Sequence, residues 1–428
     1  MSETLETLES LEKHNTIFIS AQPDEIYFHW QVEIYLYQFA KHGIQDRCYA
    51  LFGYRDTPSE YALGLAKKYP HIVMYKDDRD ISAPNHYKPT IRPHLLKKFF
   101  AEHPDLGASV FYHDSDIFLV QMPRFELMLA DDVNYLSDTI SYIGYNYITN
   151  CQKRYEAKHP DATPLIDVMC NCVGLPVALV KENELNSGGA QYLLKGIDAK
   201  FWEEAEDLCQ KLADCMKAYD DKYPVDHGVQ LWTADMWIVL WLVWKRGNAT
   251  RIHKDLDFSW APYTATDYHK KRIFHLAGIS QKNCEGHFYK AHYHKKNVFV
   301  EYARNKSIFD NVKPTSATYE YVKVLKEYAE GSPVIIKESS RFLLDSKDAW
   351  SSIYTKDSAT FSDRPLWRSV DAKYFIFNNG TAWVLTGASY EKDLTTKTGG
   401  YASTYATEPY EGGWNQPCVI RLLDTGLN

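Results

Sequence analysis

Between residues 16 and 116 short apolar runs alternate with longer amphipathic ones, and this alternation constrains the fold more than any other feature of the chain. Thr16-Ile17-Phe18-Ile19-Ser20 reads as a strand, Ile26 to Lys41 as a helix, and Cys48-Tyr49-Ala50-Leu51-Phe52 as a second strand. A helix is expected after Pro58, where proline suits a first turn, followed by the strand Ile72-Val73-Met74-Tyr75 and a helix from about Thr90 to Glu102. Strands joined through helices pair in parallel, because the crossover brings the chain back to start the next strand in the same direction. The expected class is α/β.

A fourth apolar strand, Ser109-Val110-Phe111-Tyr112, runs directly into His113-Asp114-Ser115-Asp116. In open parallel sheets ligands bind beyond the carboxyl ends of the strands, which is where this places two carboxylates. Carboxylates one residue apart can turn to one side and hold a hard divalent cation, Mn²⁺ or Mg²⁺, together with a diphosphate. Such a cation neutralises the charge left on a nucleoside diphosphate when its bond to a sugar breaks. The same three-residue pattern recurs in acidic surface loops, so its context has to decide.

Composition removes several alternatives. With 428 residues the chain exceeds what one core usually serves. A net charge of -8 and a pI near 6.1 give no general field for a nucleic-acid backbone, although His269-Lys270-Lys271-Arg272 and His294-Lys295-Lys296 are locally basic. The 8 cysteines lack CxxC pairing and zinc-ligand rhythm, which fits a reducing compartment. The polar, acidic opening MSETLETLESLEKHN has no secretory character, and the apolar run Met236 to Trp244 is too short to span a bilayer, so a cytoplasmic protein without a membrane segment is expected. No phosphate-binding GxxxxGK[ST], GxGxxG or GxSxG pattern is present, which weakens kinase, dehydrogenase and hydrolase readings. The 32 Tyr and 11 Trp suit surfaces that stack on sugar rings, though core packing uses most such residues.

Three segments in order carry a family resemblance: Asp114-Ser115-Asp116, Leu185-Asn186-Ser187-Gly188-Gly189 and Phe274-His275-Leu276-Ala277-Gly278. Together they resemble the GT-A glycosyltransferases, in particular glycogenin-like members. The resemblance implies a Rossmann-like mixed sheet with flanking helices and a metal held by Asp114, Asp116 and His275. It also implies donor contacts from Ser115, from the Asn186, Ser187, Gly188 and Gly189 segment, and from Gly278. Lys282 stands near the place of the group's diphosphate-binding lysine, with a spacing one residue longer. A narrower likeness is to plant-type hydroxyproline arabinosyltransferases and peptidyl serine galactosyltransferases. It rests on Tyr87-Lys88-Pro89, the Asp-Ser-Asp motif and Trp232-Thr233-Ala234-Asp235-Met236-Trp237, and covers residues 16 to 280. Here Asp235 replaces their Glu, and their secretory targeting is not seen, which bears on the acceptor more than on the fold.

Asp235 opens an otherwise apolar helix, so its carboxylate should be partnered or line a cleft. It is a candidate catalytic residue alongside Asn186: a base toward the acceptor hydroxyl, or a stabiliser of positive charge at the anomeric carbon. Satisfaction by helix N-terminal amides is the structural alternative. Lys88 and Arg92 are candidates for the phosphates. Trp237, Trp241 and Trp244 share one helical face and are expected in the core. His287, His292 and His294, and Cys170 with Cys172, lack the geometry of a metal or redox motif.

The expected organisation is a GT-A domain at 1–305, a helical linker at 306–331 and a small aromatic β module at 332–428 that could hold the acceptor. Its hairpin signal is Asn378-Asn379-Gly380, its Asn379-Gly380-Thr381 sequon carries no weight here, and its run from Arg364 through Trp383 to Gly413-Trp414 looks like a module appended to varied phage and microbial proteins. The function expected is metal-dependent transfer from a nucleoside diphosphate sugar, UDP-linked by the resemblance, to a hydroxyl on a glycan, protein or modified nucleic acid, leaning toward retention. The alternatives are a non-catalytic carbohydrate binder on the same scaffold and a transferase acting on hydroxymethylated DNA bases.

Overall fold

The computed structural model describes residues 2–331 and, beyond them, the segments 341–346, 352–361, 364–369, 373–378, 383–387, 402–404 and 418–422. The turn at Asn379-Gly380, the sequon, Ser332-Pro333 and Gly413-Trp414 lie outside the described residues. By compactness the chain divides into Met1–Ser59 with His71–Gly278, and Glu60–Pro70 with Ile279–Asn428. This division falls at 278, whereas the sequence pattern places a boundary at 305.

The first unit opens with helix α1 (Ser2–Lys13) and then follows the alternation seen in the sequence. Strand β1 (Ile17–Pro23) leads to α2 (Ile26–Ala40) and β2 (Cys48–Tyr54). Helix α3 (Glu60–Lys68), which belongs to the second unit, precedes β3 (Ile72–Lys76), α4 (Ile91–Glu102) and β4 (Ser109–His113). These four strands lie in the order β3-β2-β1-β4, all in parallel. All five residues of β4 are buried, as expected of an inner strand covered on both faces.

Beyond β4 the chain forms β5 (Ile117–Leu119), α5 (Phe125–Met128), β6 (Asn134–Asp138), α6 (Ile140–Ile143), α7 (Tyr145–Lys158), α8 (Leu165–Val173), α9 (Val177–Glu182) and β7 (Gly188–Lys195). Then come α10 (Ala199–Lys222), α11 (Ala234–Lys245), β8 (Thr250–Ile252), β9 (Phe258–Trp260), α12 (Ala265–Lys270) and β10 (Ile273–His275). The sheet continues as β4-β7-β6-β8, with β7 antiparallel to both neighbours, so it is a mixed sheet of seven strands with a parallel half.

Strand alternation sends neighbouring aromatics to opposite faces. Phe111 joins Phe18 (5.2 Å) and Phe125 (5.2 Å) on one side, with Phe39 of α2 6.0 Å from Phe18. Tyr112 meets Trp202 of α10 (5.3 Å) and Tyr192 of β7 (5.6 Å) on the other. Asp198 caps α10 by accepting from the Phe201 N–H at 2.8 Å. Apart from Asp235, helix α11 is apolar all round and buried from Ala234 to Trp244. Trp237, Trp241 and Trp244 are all core residues, and Trp237 and Trp244 donate to Ile143 O and Thr250 Oγ1, each at 2.8 Å.

A second, three-stranded sheet branches where β4 ends. Its middle strand β10 pairs antiparallel with β5 and parallel with β9, in a register that sets His275 opposite Ile117 and beside Trp260.

In the second unit, α13 (Val298–Arg304) and α14 (Ala317–Gly331) enclose aromatics including Phe288, Phe309 and Tyr321. The strands β11 (Arg341–Ser346), β12 (Ser352–Phe361), β13 (Arg364–Ser369), β14 (Tyr374–Asn378), β15 (Trp383–Gly387), β16 (Ala402–Thr404) and β17 (Cys418–Leu422) form an antiparallel sheet in the order β16-β15-β14-β13-β12-β11-β17. β14 and β15 pair with Asn378 opposite Trp383, the pairing expected of strands flanking that turn. Leu366, Phe375, Phe377 and Val384 cluster on one face, while Trp367, Ile376 and Leu385 are buried on the other.

Candidate metal centre and cleft

The backbone brings the three candidate ligands together. Asp114 and Asp116 occupy the turn between β4 and β5, and the β5–β10 pairing carries His275 to the same place. The Leu276 N–H donates to the Asp116 carbonyl at 2.9 Å, which extends that pairing through the turn. One ligand atom from each of the three residues lies within 4.8 Å of the others, and among the described residues this is the group of acidic, His or Cys side chains arranged to hold a metal. His287, His292 and His294 form no such group there.

His275 Nε2 lies 3.5 Å from Asp114 Oδ2 and 3.3 Å from Asp116 Oδ1. Adjacent ligands of an octahedral cation with bonds near 2.1 Å sit about 3 Å apart, so the spacing fits. Two carboxylate oxygens and an imidazole nitrogen are a donor set suited to Mn²⁺, with Mg²⁺ the harder alternative. Asp116 and His275 are buried and Asp114 is half-buried, which leaves Asp114 toward the open side.

The imidazole is also gripped from behind. Gln191 of β7 places its amide 3.3 Å from His275 Nδ1, and Ser137 donates to the Gln191 amide oxygen at 2.7 Å. A glutamine amide offers both a donor and an acceptor, so turning its oxygen to Nδ1, with Ser137 then accepting from the NH₂, puts the ring hydrogen on Nδ1 and lets Nε2 present its lone pair to a metal. Sequence reading missed this pair; the signal was a Gln in a strand otherwise built to be buried, Gly188 to Leu194.

On the open side Arg92, in the first turn of α4, bridges two carboxylates. Its guanidinium lies 3.0 Å from Asp114 Oδ1 and donates to Asp235 Oδ2 at 2.8 Å. Asp235 Oδ1 lies 2.8 Å from the Tyr87 hydroxyl, which in turn accepts from the Asp235 N–H at 3.2 Å. Burial pushes the Asp235 carboxyl above its usual range, against the opposing pull of Arg92. Arg92, Tyr112, Asp114, Ala190, Tyr192, Asp235, Met236 and Val239 line a narrow cleft with room for about one water molecule.

The Asn186 to Gly189 segment lies behind this wall. The Asn186 amide turns to Asn183 (3.5 Å), its carbonyl accepts from Thr250 (2.8 Å), and Ser187 Oγ donates to the Asn183 carbonyl (3.1 Å). Both glycines have packing reasons. A Cβ on Gly188 would fall 2.2 Å from Ser137 O, and one on Gly189 would fall 2.5 Å from Tyr192 Oη. Ala190 is the residue of this stretch that reaches the cleft, and it does so with φ of 72°. That conformation costs an L-residue about 1–2 kcal/mol and, at a cleft wall, marks a backbone held for position.

Ser115 is buried within the acidic turn. Gly278 takes φ of 92° just after the His275 strand, where a Cβ would sit 3.3 Å from the Trp260 ring. Lys88 is exposed and precedes α4, and Lys282 is exposed within the second unit. The seven cysteines at 48, 151, 170, 172, 209, 215 and 284 are free. No helix among the described residues is long and apolar enough to cross a membrane. No protein-family model matches the sequence, and a search of curated proteins finds no match to it.

Proposed function

We propose that this chain is a metal-dependent glycosyltransferase of the GT-A type, moving a sugar from a nucleoside diphosphate donor, UDP-linked by resemblance, to a hydroxyl acceptor. The observation that carries the reading is the convergence of Asp114 and Asp116 with the sequence-distant His275, at the carboxyl end of a buried strand in a parallel-rich sheet. Asp114, Asp116 and His275 would hold Mn²⁺ or Mg²⁺, which when bound supplies Lewis-acid neutralisation of the leaving diphosphate.

The chain's own groups account for the rest. Gln191 and Ser137 fix the imidazole plane of His275. Arg92 orients Asp114 through Oδ1, leaving Oδ2 for the metal side, and adds positive charge at the cleft mouth where phosphate arrives. Asp235 has one oxygen on Arg92 and the other on Tyr87, so it serves as a fixed negative charge in the cleft wall rather than as a freely presented base. A fixed carboxylate of that kind favours positive charge at the anomeric carbon, which agrees with retention.

A screen of UDP-, GDP- and CMP-linked sugars for slow hydrolysis, with Mn²⁺ or with EDTA, tests the reading. Release from one donor that needs Mn²⁺ and vanishes in Asp116→Asn, with an unchanged melting temperature, is the expected result. Equal release in Asp116→Asn would overturn it.

A further inference from the structure

A row of aromatic rings leads outward from the metal centre. The His275 imidazole stacks on Trp260, with centroids 6.1 Å apart and planes 13° from parallel. Trp260 meets Tyr142 edge-on at 6.0 Å, and Tyr142 lies 6.2 Å from Trp232 at 31°. Exposure rises along the row: His275 is 5% exposed, Trp260 and Tyr142 are half-buried, and Trp232 is 59% exposed. A single exposed indole is unremarkable. One that continues a ring row beginning at the metal ligands is not.

The backbone that carries the outer ring is also held in place. The Trp232 carbonyl accepts from the Tyr87 hydroxyl at 2.7 Å, the same hydroxyl that contacts Asp235. Its position is therefore tied to the cleft wall. A flat, water-exposed indole matches the apolar face of a pyranose and leaves the hydroxyls around the sugar ring free to bond outward. The charges nearby select among ligands that stack. Asp138 accepts from the Ile140 N–H at 3.1 Å at the start of the helix that carries Tyr142, and Asp114 lies 3.5 Å from the His275 ring on which Trp260 stacks, so carboxylates flank the row. A polyanionic nucleic acid would be repelled there, whereas a neutral glycan would not.

We propose that Trp232, Tyr142 and Trp260 form an acceptor subsite for a neutral glycan, stacking a pyranose on Trp232 and directing the chain of sugars toward Asp114. What the bound sugar is used for rests on the glycosyltransferase reading above. On this proposal the acceptor is a carbohydrate.

Saturation-transfer NMR with maltotriose, cellotriose and chitotriose on the full chain tests it. Wild type should bind at least one trisaccharide; Trp232→Ala should weaken that binding about tenfold, while Trp232→Phe keeps most of it. Melting curves check that both variants fold. Failure of wild type to bind any of the three, or equal binding by a folded Trp232→Ala, overturns the subsite. Donor hydrolysis by wild type, measured in parallel, separates the two ideas. Trp232-dependent sugar binding without metal-dependent hydrolysis leaves the subsite and removes the transferase; hydrolysis without Trp232-dependent binding does the reverse.

Discussion

Replacing Arg92 with methionine removes the cation that Asp235 and Asp114 share while keeping most of the side-chain volume. Asp235 is 6% exposed, and it would be left with Tyr87 as partner but with no opposing charge. Removing one member of a buried pair costs about 3–5 kcal/mol. The surviving hydrogen bond and the option of taking up a proton hold the expected loss to about 3 kcal/mol at pH 8, a fall of roughly 6–12 °C in melting temperature. Asp114 adds less, because its side chain is 23% exposed and stays hydrated. The pH dependence follows from the direction of the Asp235 shift. Burial raises this carboxyl above 3.8 in the folded state, so the native chain binds the proton more tightly than the unfolded one. Its contribution to stability is therefore greatest below the unfolded value and declines as pH rises toward the folded value. Without Arg92 the folded value rises further, so the deficit against wild type should be smaller at pH 5 than at pH 8. The double variant Arg92→Met with Asp235→Leu should recover most of the loss, since the stranded charge is gone. Urea titrations at both pH values would measure this. A deficit equal at pH 5 and pH 8, or a double variant as unstable as the two single changes summed, would refute the reasoning.

Gln191→Leu should weaken Mn²⁺ binding by about 10–100-fold, read by electron paramagnetic resonance of free Mn²⁺, because His275 loses the partner that sets its ring. Unchanged affinity would show that Gln191 is only packed there. Asp255 is gripped by Arg124 at 2.7 and 2.8 Å and by Arg272 at 3.3 Å. Although burial pushes it up, the hydrogen bonds from Arg124 hold its carboxyl at about 2. A depressed carboxyl stabilises the fold above its unfolded value and loses that effect as pH falls through the folded one. Asp255→Asn should therefore cost on the order of 2 kcal/mol at pH 7, roughly half of that at pH 3 and little at pH 1, read by urea titration. A pH-independent cost would contradict the assigned ion pair.

The legible part of the fold is the part written in local periodicity. The runs at 16–20, 48–52, 72–75 and 109–112 appear as parallel strands because strands covered on both faces must be continuously apolar, and helices between them leave few other pairings. The apolar stretch at 236–244 reads as a buried helix, and it is one. The N-terminal helix Ser2–Lys13 carried a weaker signal, a polar, acidic stretch with isolated leucines.

For the site, the sequence determined that two carboxylates sit at the end of an inner strand, since a strand and the turn after it are fixed by adjacent residues. Which distant side chains join them was decided by tertiary structure. His275 arrives only because β10 pairs with β5 in one register, and a slip of one residue would turn it to the opposite face. Arg92 and Asp235, read from the sequence as a phosphate ligand and a catalytic carboxylate, meet as an ion pair because α4 and α11 converge at the cleft. Gln191 showed only as a polar residue in a buried strand, Tyr87 and Trp232 stood inside the resemblance motifs without a role assigned to them, and the left-handed Ala190 left no pattern along the chain. Periodicity reports which face of an element a residue occupies. It carries no information about which other element that face will meet, and the chemistry of this cleft lies in those meetings.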